Sequence, residues 1–177
     1  LFDLRSDDGP AIINRDDPWG RWMAQRAGER VQGYAVVTDN ASGQSMGMAI
    51  PGLSSDPGLS DGDGSHDPPA WHATLLDAQP AGTRLRLEGP GEPPIELNLP
   101  LIGRHNVYNL LAAVGLVRSL GVPLADMKPH IETMPPTPGR LERITTPDAP
   151  FTVLVDYAHT DDALRNVLEA LRPLVSN

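Results

Sequence analysis

The sequence predicts an α/β fold that joins a parallel sheet to a small antiparallel one, and stretches in three parts of the chain carry that prediction. Residues 10–38 read as strand, helix, strand, a unit whose crossover favours parallel pairing. Residues 71–99 hold strand signals with clear alternation, as in a meander with one wet face. Phe151–Thr160, FTVLVDYAHT, is a β-branched and apolar run that stops at Asp156, Tyr157 and His159 and leads straight into a helical pattern.

The first unit opens with Pro10–Asn14, PAIIN, and the polar run Asn14-Arg15-Asp16-Asp17. Asp17 suits an N-cap and Pro18 the first helical position, with Gly28 as the stop. Trp19, Trp22 and Met23 fall on one side of that helix, which assigns the tryptophans to core packing. Tyr34–Thr38, YAVVT, is the next strand. From residue 39 to 70 periodicity disappears under Gly, Pro, Ser and Asp, so a loop or insertion is expected. Asp61-Gly62-Asp63-Gly64 has the look of a calcium loop, but the closing Glu and flanking helices are absent. Trp71–Leu76, Thr83–Glu88 and Ile95–Leu99 form the meander, and His72 reads as an ordinary half-buried histidine.

Gly103-Arg104-His105-Asn106-Val107-Tyr108-Asn109 opens a helix whose apolar side runs through Val107, Leu110, Leu111, Val114, Val117 and Leu120 to Gly121. Asn106 and Asn109 are three apart at its first turn, where free backbone N–H groups favour an anion or polar ligand. Asn106 as a plain N-cap and Asn109 as a solvated residue is the alternative. A shorter helix follows Pro123, with Pro129 expected to kink or split it. Pro135–Arg140, PPTPGR, is a stiff turn presenting a guanidinium, a group whose planar fork suits phosphate oxygens. Thr145–Pro150, TTPDAP, has linker composition.

FTVLVDYAHT then reads as a buried strand delivering polar side chains at its carboxyl end, followed by a helix with Leu164, Val167, Leu168 and Leu171. Ligands of open α/β sheets bind at such strand ends, which singles out Asp156, unless Asp156 only caps the helix.

Composition sets the bounds. Forty per cent hydrophobic and 21% charged residues support one globular domain or parts of two. A net charge of −9 argues against nucleic acid or an anionic membrane surface as partner. The absence of Cys excludes disulfides and thiolate metal sites. No apolar run approaches the ~20 residues that span a bilayer, so the chain reads as soluble. Both ends look cut, as in a piece of a longer protein. Lys128 is the sole lysine, so these residues hold no G-x-x-x-x-G-K-[ST] phosphate loop.

Read together, GRHNVYNLLAA, PGRLER and VLVDYAHTDDAL, preceded by LFDL and AIINRDDPWG, resemble the ATP-dependent Mur ligases of peptidoglycan synthesis. The likeness is strongest to the branch that adds the third peptide residue, and it spans most of the chain outside 39–70. It implies the later half of a central ATPase domain over residues 1–142 and the start of a Rossmann-like C-terminal domain over 143–177. It implies a cytoplasmic enzyme that uses ATP and Mg2+, with metal ligands upstream and none in this chain. Its substrates would be UDP-N-acetylmuramoyl-L-alanyl-D-glutamate and an amino acid, diaminopimelate or lysine, joined through an acyl phosphate. The fragment by itself would be inactive. Carried over by position, His105, Asn106 and Asn109 lie along the nucleotide and Arg140 approaches the ATP phosphates in a catalytic role. Asp156 accepts from the ribose hydroxyls, while Tyr157 and His159 wall the nucleotide. His105, Pro129 and Asp161 depart from the usual pattern.

The rivals are another ligase of the same superfamily, adding D-alanyl-D-alanine or acting as a cyanophycin or folylpolyglutamate synthase, and a non-catalytic nucleotide-binding relative. A dinucleotide-dependent dehydrogenase finds no G-x-G-x-x-G after any strand.

Overall fold

The computed structural model describes residues 9–27, 31–38, 71–146 and 148–174. The expected stop at Gly28, the 39–70 loop with its acidic run, and the opening LFDL lie outside them. Five strands form one sheet in chain order: β1 (Ala11–Asn14), β2 (Val31–Thr38), β3 (Trp71–Gln79), β4 (Gly82–Gly89) and β5 (Glu92–Leu99). β1, β2 and β3 pair in parallel, and β3, β4 and β5 antiparallel, so the two expected sheet types share β3 as a common strand.

Between β1 and β2 lies α1 (Pro18–Ala27). Its start follows the sequence: Asp17 Oδ1 accepts from the backbone N–H of Trp19 at 2.7 Å and of Gly20 at 3.4 Å. The tryptophans do not enter the core as their spacing predicted. Trp19 is exposed and Trp22 half-buried, the rings meeting edge-on at 5.9 Å. The side of α1 that meets β1 is small instead, because the helix crosses so close that a Cβ on Gly20 would stand 1.7 Å from the Asn14 carbonyl oxygen. Ala27, Met23 and Ala24 complete a contact with Ala11, Ile13 and Val31.

On the opposite face lie α2 (Arg104–Ser119) and α3 (Leu124–Glu132). Strand alternation sends Val36, Trp71, Ala73, Leu85, Leu87, Leu97 and Leu99 to this side, where they meet Val107, Leu110, Leu111, Val114, Leu124, Met127 and Ile131. Fully burying each of the larger side chains contributes about 1.5–3 kcal/mol. Leu120, expected in this stripe, is exposed beyond the helix end, where Gly121 turns the chain with φ +87°. Pro129 neither splits nor ends α3, which runs through it as a single helix. The reverse face of β3–β5 is wet and ionic, with His72 to Glu88 at 2.6 Å and Arg84 to Glu96 at 2.7 Å.

The chain ends in a second, smaller assembly. β6 (Glu142–Arg143) pairs antiparallel with β7 (Leu154–Val155), and α4 (Asp161–Leu171) follows, running into a 3-10 turn at Arg172–Leu174 that touches β3. The expected buried strand is not found. The strand is short, and Phe151, Val153, Val155 and Tyr157 are all exposed. An apolar run is buried only where neighbouring strands and helices cover it, and among the described residues β7 has β6 as its one strand partner. Asp156 does not cap α4 either, since Thr160 does, its hydroxyl accepting from the Ala163 N–H at 3.2 Å.

Candidate functional site

The turn that ends in Arg140 is built by its own backbone. Arg140 N–H donates to the Thr137 carbonyl at 3.1 Å, and Gly139 N–H to Glu142 Oε2 at 2.8 Å. Leu141 closes the turn with φ +45°, a conformation costly for a branched side chain and tolerated here because that side chain is buried. Asp156 locks the turn to the end of β7. Its Oδ2 accepts from Leu141 N–H at 2.8 Å and its Oδ1 from Ala158 N–H at 2.7 Å, while Tyr157 N–H donates to the Gly139 carbonyl at 2.9 Å. Each carboxylate oxygen therefore keeps a lone pair for a ligand.

Arg140 remains exposed, its guanidinium 5.8 Å from the Tyr157 ring centroid. His159 meets Tyr157 edge-on at 5.0 Å and donates from Nδ1 to the Tyr157 carbonyl at 2.9 Å. His105 enters from the other side, at the first turn of α2. The side chain is exposed, yet the protein atoms around its ring desolvate it enough to lower its pKa, with the Asp156 carboxylate opposing and the Arg140 guanidinium reinforcing the shift. The Asp156 carboxylate and the Arg140 guanidinium thus both act on the His105 ring. The α2 start itself is irregular: Gly103 precedes it at φ +96°, and no side chain caps the helix.

Of the residues singled out in the sequence, the structure thus gathers His105, Arg140, Asp156, Tyr157 and His159. It separates the two asparagines. Asn106 is buried and is not the N-cap, a place taken by Gly103, and its Nδ2 donates to the Ile102 carbonyl at 2.8 Å. Asn109 is exposed four residues after His105, so those two share a helix face.

A second polar cluster went unread. Asp16, buried at the end of β1, accepts on Oδ2 from Val36 N–H at 2.8 Å and from the Tyr108 hydroxyl at 2.7 Å. The Arg104 guanidinium stands 3.8 Å from the same oxygen and donates to the Val36 carbonyl at 3.1 Å. Burial, then the hydrogen bond to Asp16, pushes the Tyr108 pKa far up, so the phenol stays a donor. The signal was present as Arg104 and Tyr108 at helical spacing, but their partner lies 92 residues before Tyr108 in the chain.

Residues 1–117 match the family described as the Mur ligase middle domain. The chain is 37% identical over 177 residues to the UDP-N-acetylmuramoyl-L-alanyl-D-glutamate–2,6-diaminopimelate ligase of a Nostoc species, covering 99% of this chain and 30% of that protein. The protein of the same name from Trichormus variabilis is 36% identical over 169 residues, covering 94% and 28%. The chain therefore spans about three tenths of the length of these relatives. Among solved structures, MurF from Acinetobacter baumannii superposes with TM-score 0.69 at 21% identity, over 98% of this chain and 31% of that one, a likeness of fold. A UDP-N-acetylmuramoyl-L-alanyl-D-glutamate–2,6-diaminopimelate ligase gives TM-score 0.63 at 27% identity, over 94% and 29%. Among the described residues no group of three or more His, Asp or Glu is placed to hold a metal, and no helix is long and apolar enough to cross a membrane.

Proposed function

The chain belongs to the Mur ligase family, and from that premise we propose that its junction site binds ATP within a longer enzyme of this family. That enzyme would be cytoplasmic and would join diaminopimelate to UDP-N-acetylmuramoyl-L-alanyl-D-glutamate. The observation that supports this most is the meeting of Arg140, Asp156 and His105, drawn from separate parts of the chain, beside the open start of a helix. A helix start with no side-chain cap and a guanidinium with no ion pair among the described residues suit an anion, and an ionised carboxylate with spare lone pairs suits a diol. That is the donor set of a nucleoside polyphosphate.

In this reading Arg140 contacts the phosphates, Asp156 accepts from the ribose hydroxyls, and Tyr157 with His159 walls the nucleotide. Asn109 and His105 line its other side, while Asn106 serves the site by holding the Ile102 carbonyl and so the loop before α2. ATP supplies the phosphoryl group that turns a poor carboxylate electrophile into one an amine can attack. Mg2+ belongs to the same proposal, held by groups outside the described residues. A division of the chain near residues 142 and 143 is proposed too; the pairing of β6 with β7 instead of with the five-stranded sheet supports a boundary in this region and puts Glu142 on the far side of it.

The test uses the full-length protein. Asp156→Ala and Arg140→Ala should raise the ATP KM by about tenfold or more, the loss expected for a charge-assisted contact. ADP release coupled to diaminopimelate, lysine or D-alanyl-D-alanine as acceptor would separate the branches. Unchanged ATP KM and turnover in both variants would overturn the site.

A further inference from the structure

The Asp16 cluster lies beneath α2, apart from the junction, and the nucleotide role just described makes no use of it. Carboxylates are rarely buried unless paired, and this one is paired three ways through a single oxygen. It ties the polar end of β1 to the backbone of β2 and to the first two turns of α2. The attachment points on α2, Arg104 and Tyr108, are four residues apart and share one face. His105 and Asn109 are each one residue further on, so they occupy the neighbouring face about 100° around the same turns. Whatever fixes the roll and depth of the first pair fixes the second, because both ride on one hydrogen-bonded turn.

No side chain caps α2 at its start, and its N-cap glycine sits at φ +96°. Apolar contacts from Val107, Leu110 and Leu111 hold the helix to the sheet, but such contacts tolerate sliding and rolling by small amounts. A carboxylate accepting from a backbone N–H and a phenol is directional and does not. We propose that Asp16, acting through Tyr108 and Arg104, is a positioning residue for the nucleotide site, holding His105 and Asn109 at a fixed height and roll beside the junction. This rests on the ATP reading above.

The experiment measures ATP binding and melting temperature in the full-length protein. Tyr108→Phe removes one hydroxyl and keeps the ring. It should weaken ATP binding about five- to tenfold and speed amide exchange at residues 104–109. Asp16→Asn, which can still accept but is neutral, should stay within about threefold of the wild type, whereas Asp16→Ala should fall below both. A normal ATP affinity in Tyr108→Phe, with melting temperature lowered, would make the cluster merely structural and overturn the proposal, and this variant decides the matter even if Asp16→Ala fails to fold. Asn109→Ala and Asp156→Ala serve as the reference. If they weaken ATP binding while Tyr108→Phe does not, only the positioning role fails. If none of them does, the ATP reading fails and takes this one with it.

Discussion

Gly103 and His105 show how much a single position can constrain. Gly103 holds φ +96°, and a Cβ there would sit 2.7 Å from the His105 ring. Gly103→Ala should therefore cost about 1–2 kcal/mol in denaturant unfolding and displace His105 from Asp156. His105 also gives the site a pH signature. Its imidazole pKa is lowered in the folded state, so the unfolded chain binds the proton more readily. Stability is then unaffected well above the ordinary histidine value of about 6.5 and declines as pH falls through it. The difference in melting temperature between wild type and His105→Gln should be flat above neutrality and shrink in the wild type's disfavour toward pH 5. A difference independent of pH would remove His105 as the source.

Among the elements, α1 is fixed by contact distance. Gly20→Ala forces the helix away from the Asn14 carbonyl and should destabilise by about 1–3 kcal/mol, read from urea unfolding. At the other end of the sheet, Arg118 joins the end of α2 to the β4–β5 turn through Glu92 at 2.9 Å and also donates to the Val122 carbonyl at 3.1 Å. Arg118→Met leaves Glu92, only 12% exposed, without that cation and should cost about 1–3 kcal/mol, less than for a fully buried pair. The elements differ in how far the sequence disclosed them. The Asp17 cap, the meander and the Gly121 stop were legible because each is set by local chemistry. The Trp19 and Trp22 assignment failed because periodicity finds an apolar side without finding what covers it. β7 misled for the same reason. Pro129 in the sequence predicts a kink or a split, yet α3 loses only the one hydrogen bond its ring forbids, runs on as one helix and keeps its packing through Met127 and Ile131. Asp16 could not be found at all, since its value comes from Val36 and Tyr108, which lie 20 and 92 residues away.

For the molecule as a whole, the uneven coverage of its surface is the dominant fact. Phe151, Val153, Val155, Leu164 and Leu168 leave the second assembly apolar and open, in contrast to the ionic reverse face of β3–β5. The 177-residue chain expressed alone should bind a hydrophobic dye and associate as concentration rises. Leu164→Gln with Leu168→Gln should lower both without shifting the main unfolding transition, because α4 buries none of its residues. Retention of full dye binding in that double variant would place the exposed surface elsewhere.

The strand order of the main sheet bears on how the chain comes into being. Because β1 to β5 stand side by side in the order of their synthesis, each strand leaving the ribosome meets its partner at the free edge of those already made. α2 and α3 are made only afterwards. Until both helices have docked, the leucines at 85, 87, 97 and 99 have no helix over them. A chain that has paired its strands but not yet docked its helices exposes an apolar face of the kind that chaperones bind and at which chains aggregate.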